Sequence, residues 1–251
     1  MTSWVLRPIL WFATASMAIT VFHELIHAIV AFALGVRSTL HNYFVHLDLT
    51  PDQAATSIPA IIGVSGPGLC LVVGTVAWVA YNRLRPLRST AELPLLFFAV
   101  FGIGTFFGNL VSASFIGDFS RAAIALQLPM PARYGLSLAG AVGTAAVHYV
   151  AGRELARWVP PMPSRILGLL EIIAVPAIVG MGIVILVNLP AANATVRVTE
   201  ASFWIFGAIG ALVSGPAQTR GADPPRWADA VALLLVILIV RALVRGIPFV
   251  P

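Results

Sequence analysis

Seven apolar stretches, separated by short polar connections, organise this chain. They run from Pro8 to Leu34, Ile58 to Tyr81, Leu93 to Ile116, Tyr134 to Ala151, Ile166 to Leu189, Ala201 to Ala217 and Ala228 to Val244. A helix crosses a bilayer with about 20 apolar residues, so the first three stretches and the fifth predict full spans. The sixth is short, rich in glycine and ends at Gly215-Pro216, which leaves six spans as the alternative to seven. The breakers sit in the connections: Tyr81 to Pro86, Leu128-Pro129-Met130-Pro131, Val159-Pro160-Pro161-Met162-Pro163, and Gly221 to Pro225. These are loops between helices, not domain linkers. The expected fold class is all-α: a polytopic transmembrane helical bundle of six or seven spans, forming a single integral membrane domain over residues 1–251.

Two local patterns refine this picture. Just after the first span, Leu40-His41-Asn42-Tyr43-Phe44-Val45-His46-Leu47-Asp48-Leu49 partly alternates apolar with polar residues, as a short strand does. A short membrane-associated β element is one reading and an interfacial loop with aromatic anchors is the other. Within the third span, Gly104 and Gly108 have the spacing at which helix backbones approach closely.

Composition agrees with the pattern. The chain is 59% hydrophobic and only 10% charged, with a mean hydropathy of +0.94. Soluble domains are nearer one quarter charged, so the lipid bilayer is the expected solvent. The formal net charge is +5, and all fifteen basic residues are arginines, mostly in the short connections. That distribution serves topology and headgroup contact, and no nucleic-acid partner is expected. With seven spans, nine arginines fall on the N-terminal side and six on the other, which favours a cytoplasmic N-terminus. Arg7 precedes an apolar run containing Ala13-Thr14-Ala15, the outline of a secretory signal, but the run continues to Leu34 and reads as a retained first span. The single cysteine, Cys70, lies in an apolar segment and offers neither a disulfide framework nor a cysteine-rich zinc site.

The chemistry is concentrated in His23-Glu24-Leu25-Ile26-His27, an H-E-x-x-H pattern inside the first span. Residues four apart share a helix face, so both imidazoles can reach one metal ion, with Glu24 beside it as a general base toward water. Random placement of five histidines and five glutamates would give this pattern about 0.002 times in such a chain. Ionisable groups at membrane depth are costly, and three within five residues require a reason. The bland reading is a buried His-Glu-His hydrogen-bond cluster that packs helices.

A hydrolytic zinc site takes three protein ligands and keeps one position open. Asp118, after Phe115-Ile116-Gly117 at the end of the third apolar segment, is the leading candidate for the third. Alternate helices run the same way, so Asp118 and the histidines approach one membrane face. His27 lies about 12 Å of helix before Gly35, so the site is submerged by roughly two turns. The third segment must therefore unwind or tilt to bring Asp118 down, which Gly117 permits. His46, with His41 and Asp48 in the stretch after the first span, is the alternative source of the third ligand. That stretch, as a strand, would also offer an edge for an unwound peptide to join. His148, Glu171 and Asn188 lack metal-ligand spacing.

These elements resemble the site-2 protease family of intramembrane zinc metalloproteases. The resemblance rests on His23-Glu24-Leu25-Ile26-His27, on Asp118 after a third span, and on Val64-Ser65-Gly66-Pro67-Gly68, which looks like the family's Gly-Pro element. It covers about residues 8–120 as a metalloprotease core of three spans, with residues 133–251 as additional spans. It implies a Zn2+ cofactor held by His23, His27 and Asp118, catalysis by Glu24, and Asn109 as the asparagine that helps hold substrate near the metal. It implies a transmembrane protein as substrate and a bacterial plasma membrane as location. The chain departs from the family where prolines are missing between Asn109 and Asp118, and where the order is Gly117-Asp118, not Asp-Gly. A metal or proton transporter built on the same His, Glu and Asp cluster is the competing function, since buried ionisable groups also serve such pathways. An inactive relative that only binds transmembrane segments is the third.

Overall fold

The structure is a computed structural model and describes residues 3–87, 89–160, 164–189, 202–214 and 225–251. The Pro161-Met162-Pro163 connection, Arg88, Arg197, Arg220 and the Gly215-Pro216 pair lie outside the described residues. In chain order come α1 (Ser3–Ala33), β1 (Arg37–Leu40), β2 (Val45–Asp48), α2 (Pro51–Ala54), α3 (Ile58–Leu84), α4 (Glu92–Val111), α5 (Asp118–Ala125) and α6 (Met130–Leu155). Then α7 (Arg165–Val175) continues through a π-helical segment (Pro176–Gly180) into α8 (Met181–Asn188). α9 (Trp204–Val213), α10 (Trp227–Leu243) and β3 (Ile247–Phe249) complete the order.

Five of the described helical units are long and apolar enough to cross a membrane: Val5–Ala33, Ile58–Leu87, Glu92–Ser114, Met130–Trp158 and Arg165–Asn188. The sixth apolar stretch holds a helix of only 10 residues, and the seventh one of 17. Pro176, without an N–H to donate, interrupts the fifth unit, and the π-helical turn absorbs the break. α6 starts four residues before the apolar stretch at Tyr134, because Pro131 is tolerated in a first helical turn.

The third stretch departs most from its sequence pattern. It reads as one run to Ile116, yet α4 ends at Val111 and a 3-10 turn follows over Ser112–Ser114. The Ser112 hydroxyl donates to the Asn109 carbonyl at 2.8 Å, offering the backbone an alternative to the helical ladder. Gly117 then takes φ +96, a left-handed conformation that a side chain disfavours, and α5 starts in a new direction at Asp118.

Polar contacts at the helix ends fix directions. Arg7 Nε meets Asp229 Oδ2 at 3.0 Å and Trp11 Nε1 donates to Asp229 Oδ1 at 2.8 Å, joining the N-terminal ends of α1 and α10. α10 therefore runs parallel to α1, and β3 after it adds to the sheet that follows α1. That sheet has the order β2-β1-β3, with both pairings antiparallel. The strand signal after the first span is thus real, although most of its first half, His41 to Phe44, is the turn between β1 and β2. Val45 and Leu47 turn toward α1, packing with clusters around Ala28 and Ala31, while His46 and Asp48 face outward. At the same end Asn42 Nδ2 donates to Asn188 Oδ1 at 2.7 Å, which brings the end of α8 to the hairpin. At the opposite end Arg165 Nη2 donates to the carbonyl of Ser214, just past α9, at 3.1 Å.

The main core gathers around the first half of α1, where Phe12 meets Phe97 at 6.0 Å and Trp204 at 5.4 Å between ring centroids. The second half of α1 is left to pack against α3, α5 and the sheet. The Gly104 and Gly108 pair makes no close backbone approach; α3 and α4 instead cross at Gly74 and Gly102, where an added Cβ on Gly74 would lie 2.5 Å from a backbone atom.

Candidate metal centre

The centre is built on the buried face of α1, four residues apart along one helix. His23 is 5% exposed and His27 4%, with their rings edge to face at 4.6 Å between centroids. Their Nε2 atoms lie 3.0 Å apart. Asp118 Oδ2 completes a triangle, 2.9 Å from His23 Nε2 and 3.4 Å from His27 Nε2. Zinc–ligand bonds of about 2.0–2.1 Å in a tetrahedral site set its ligands about 3.3 Å apart, so three donors at this spacing match one face of such a site. Two imidazoles and one carboxylate are also the donor types zinc takes in hydrolytic sites. The residues present fit the ion.

The surroundings orient each ring. His27 Nδ1 donates to the Ile62 carbonyl of α3 at 2.6 Å, which in the neutral ring leaves the lone pair on Nε2, facing the triangle. The Ser65 hydroxyl donates to the same carbonyl at 2.7 Å. His23 Nδ1 faces the buried thiol of Cys70 at 3.8 Å, and that thiol in turn lies 4.0 Å from the Ile19 carbonyl. Cys70 thus touches the side of the ring away from the triangle and is not itself a donor toward it.

Close approach of α3 makes the triangle possible. A Cβ on Gly66 would stand 2.6 Å from His27 Nε2 and 2.9 Å from the His23 carbonyl. On Gly63, one turn earlier, it would stand 2.7 Å from the Asp118 carbonyl. Two glycines, three apart, therefore clear room for the histidine face and for the start of α5. Gly68 has nothing within 4 Å of its added Cβ, so Gly66 is the glycine of the Ser-Gly-Pro-Gly element that the site needs.

Asp118 arrives by the route the sequence requires. The break after α4 and the left-handed Gly117 turn the chain, and Asp118 becomes the first residue of α5, where a carboxylate complements the helix N-terminus. Its Oδ2 faces both imidazoles from a largely buried position, as an oxygen donor toward the triangle. Arg121 Nη1 lies 3.9 Å from its other oxygen, from an exposed position.

Glu24 offers a carboxylate oxygen within 4.8 Å of donor atoms on both histidines. The structure thus brings His23, Glu24, His27 and Asp118 together. Asn109 stays with its own helix: its amide donates to the Thr105 carbonyl at 3.0 Å, and its Oδ1 lies beside the Gly117 turn. His46 belongs elsewhere. It projects from the outer face of β2, its side chain 66% exposed, and pairs with Asp48 at 3.1 Å. That corrects the alternative in which it supplies the third ligand: strand alternation turns it away from α1. His41 stacks on Phe44 at 4.3 Å.

Sequence reasoning misses Gly63, Ile62 and Cys70, which act across helices. Gly63, three residues before Gly66, is the one with a readable signal, a small-residue stripe on one face of α3. In comparisons with protein-family models, curated proteins and solved structures, the chain matches none.

Proposed function

We propose that this chain is an intramembrane zinc metalloendopeptidase that hydrolyses peptide bonds within or near transmembrane segments of other membrane proteins. The observation that carries the reading is the convergence of Asp118 Oδ2 on His23 Nε2 and His27 Nε2, at 2.9 and 3.4 Å. A chain that merely packed a His-Glu-His cluster would have no need to break its third span and bring a carboxylate there. The likeness of the His23–His27 pattern and the Gly66-Pro67 element to the site-2 protease family supports the same reading.

When bound, zinc would polarise the scissile carbonyl and lower the pKa of a water. Glu24 accepts the proton from the attacking water and returns it to the leaving amine as the C–N bond breaks. His23 and His27 would hold the metal with Asp118, and the apolar walls from α1 and α3 would keep bulk water out, which strengthens these electrostatics. The substrate is a transmembrane segment that must unwind locally, because a helix shields its own peptide bonds. Asn109 remains a candidate for holding that segment. The bundle makes seven crossings in this account. α8 ends at the hairpin and α10 begins beside Arg7 at the opposite end, which supports a crossing through α9. A bacterial plasma membrane is its proposed location.

The test uses the full chain in detergent with a labelled transmembrane peptide. The protease account expects Glu24→Gln to keep stoichiometric zinc and lose cleavage, and His23→Ala to lose both. Undiminished cleavage by Glu24→Gln would remove the proposed base. Zinc flux into liposomes without cleavage by the unaltered protein would put a transporter in its place.

A further inference from the structure

The third ligand sits on a helix of eight residues that no transmembrane span carries directly. What holds that helix at the histidines therefore sets the metal site. On one side α5 meets α3 through the cleared space at Gly63 and Ala122. That contact limits how near Asp118 comes to α3. On the other side the contacts are polar, and they converge on α6.

Arg133, near the start of α6, places one guanidinium across the whole break. Its Nε donates to the Ala113 carbonyl at 3.2 Å, and its Nη2 to the Ser114 carbonyl at 3.3 Å and the Ser120 hydroxyl at 3.2 Å. Ala113 and Ser114 precede Asp118, and Ser120 follows it by two residues and is 3% exposed. One turn further along α6, Ser137 donates to the Ser114 hydroxyl at 2.9 Å and accepts from the Ser114 amide at 3.2 Å. One more turn brings Gly140 against the backbone of Leu110 and Val111, at the end of α4. Positions 133, 137 and 140 share a face of α6, so a single helix face grips the chain on both sides of Asp118.

From this we propose that Arg133 is a positioning residue for the metal centre: it fixes Asp118 against His23 and His27 by tying the segments before and after it to α6. The inference rests on the zinc reading above. A planar fork suits the task, because its separate N–H groups reach two carbonyls and a hydroxyl at once. The ammonium of a lysine is a point donor on a flexible stem and cannot bridge them in the same way. The fourth span therefore belongs to the site, although it contributes no ligand.

Outer-sphere partners of metal ligands are worth roughly 10–100-fold in metal affinity. The experiment is zinc titration of the full chain in detergent, with Co2+ absorption as a second reading of the ligand set. Arg133→Gln should weaken zinc by that factor and alter the Co2+ spectrum. Arg133→Lys and Ser120→Ala should fall between it and the unaltered protein. The decisive comparison is in the Asp118→Ala background. If Arg133 acts through Asp118, adding Arg133→Gln there changes affinity no further, whereas a general structural role would add its full cost again. Should Arg133→Gln not fold, judged by helical content and monodispersity, the Lys and Ser120 variants decide. Unchanged zinc affinity and an unchanged Co2+ spectrum in folded Arg133 variants, or in both milder variants, would overturn the inference. So would additivity with Asp118→Ala. An unaltered protein that binds no zinc would remove the metal-centre reading and this inference with it; a zinc-binding protein indifferent to Arg133 removes only this inference.

Discussion

The sharpest consequence of the geometry is a contrast between two glycines two residues apart. In Gly66→Ala the new methyl carbon would lie 2.6 Å from His27 Nε2, 2.7 Å from Cε1 and 2.9 Å from the His23 carbonyl. Ordinary contact begins at 3.4 Å, so the ring or the helix must give by about 0.8 Å. The ring has little freedom to do so. Its Nδ1 is bonded at 2.6 Å to the Ile62 carbonyl, one turn before Gly66 on the same helix. Metal–ligand distances hold within roughly ±0.2 Å, so a displacement several times larger pulls Nε2 out of the triangle. Forcing a methyl into a packed interface costs about 1–3 kcal/mol. If most of that falls on the metal-bound geometry, zinc affinity drops by about 10–100-fold, at about 1.4 kcal/mol per factor of ten. In Gly68→Ala the methyl meets nothing within 4 Å, so affinity should be unchanged. Competitive zinc titration of both variants, with thermal unfolding as the control for folding, measures the contrast. Equal affinities for Gly66→Ala and the unaltered protein, or equal losses in both variants, would refute the packing argument.

Other expectations follow from the same contacts. Gly63→Ala pushes on the Asp118 carbonyl, 2.7 Å from the added carbon, and should weaken zinc while leaving the two imidazoles in place; a Co2+ spectrum identical to that of the unaltered protein would contradict this. Arg7→Met strands the buried Asp229 carboxylate and should cost about 3–5 kcal/mol of stability, seen as a lower Tm, without changing zinc stoichiometry at the far end of α1. His46→Ala removes an exposed side chain on the outer face of β2, so its zinc content should equal that of the unaltered protein.

The parts of this site that were legible in the sequence are those set by one element's periodicity. His23 and His27 could be paired without any tertiary knowledge, because a helix places residues four apart on one face. Asp118 was legible for a different reason: it follows Gly117 at the end of an apolar run, where a carboxylate needs a purpose. Asp118 also demands an unwinding of the third segment, and the 3-10 turn after Val111 and the Gly117 φ of +96 supply it. Hydropathy placed the break too late, since Phe115 and Ile116 are apolar but stand outside the helix, 66% and 69% exposed. The strand signal located β2 but gave no warning of β3, which joins β1 from more than two hundred residues away, between Leu40 and Ile247. Gly63, Cys70 and Arg133 were illegible for the same reason. Their partners lie on other helices, and periodicity within one element says nothing about which neighbour it meets. The sixth apolar stretch is a further case: hydropathy marks it from Ala201 to Ala217, yet its described helix, α9, has only 10 residues.

The central claim is that two imidazoles and one carboxylate hold a zinc ion inside the bundle. Zinc K-edge X-ray absorption of the purified, zinc-loaded chain tests it most directly. The account predicts one zinc per chain with only nitrogen and oxygen neighbours at about 2.0–2.1 Å, including two imidazoles, and the loss of one oxygen neighbour in Asp118→Ala. A sulfur neighbour at about 2.3 Å, a first shell unchanged in Asp118→Ala, or no stoichiometric zinc at all would contradict it.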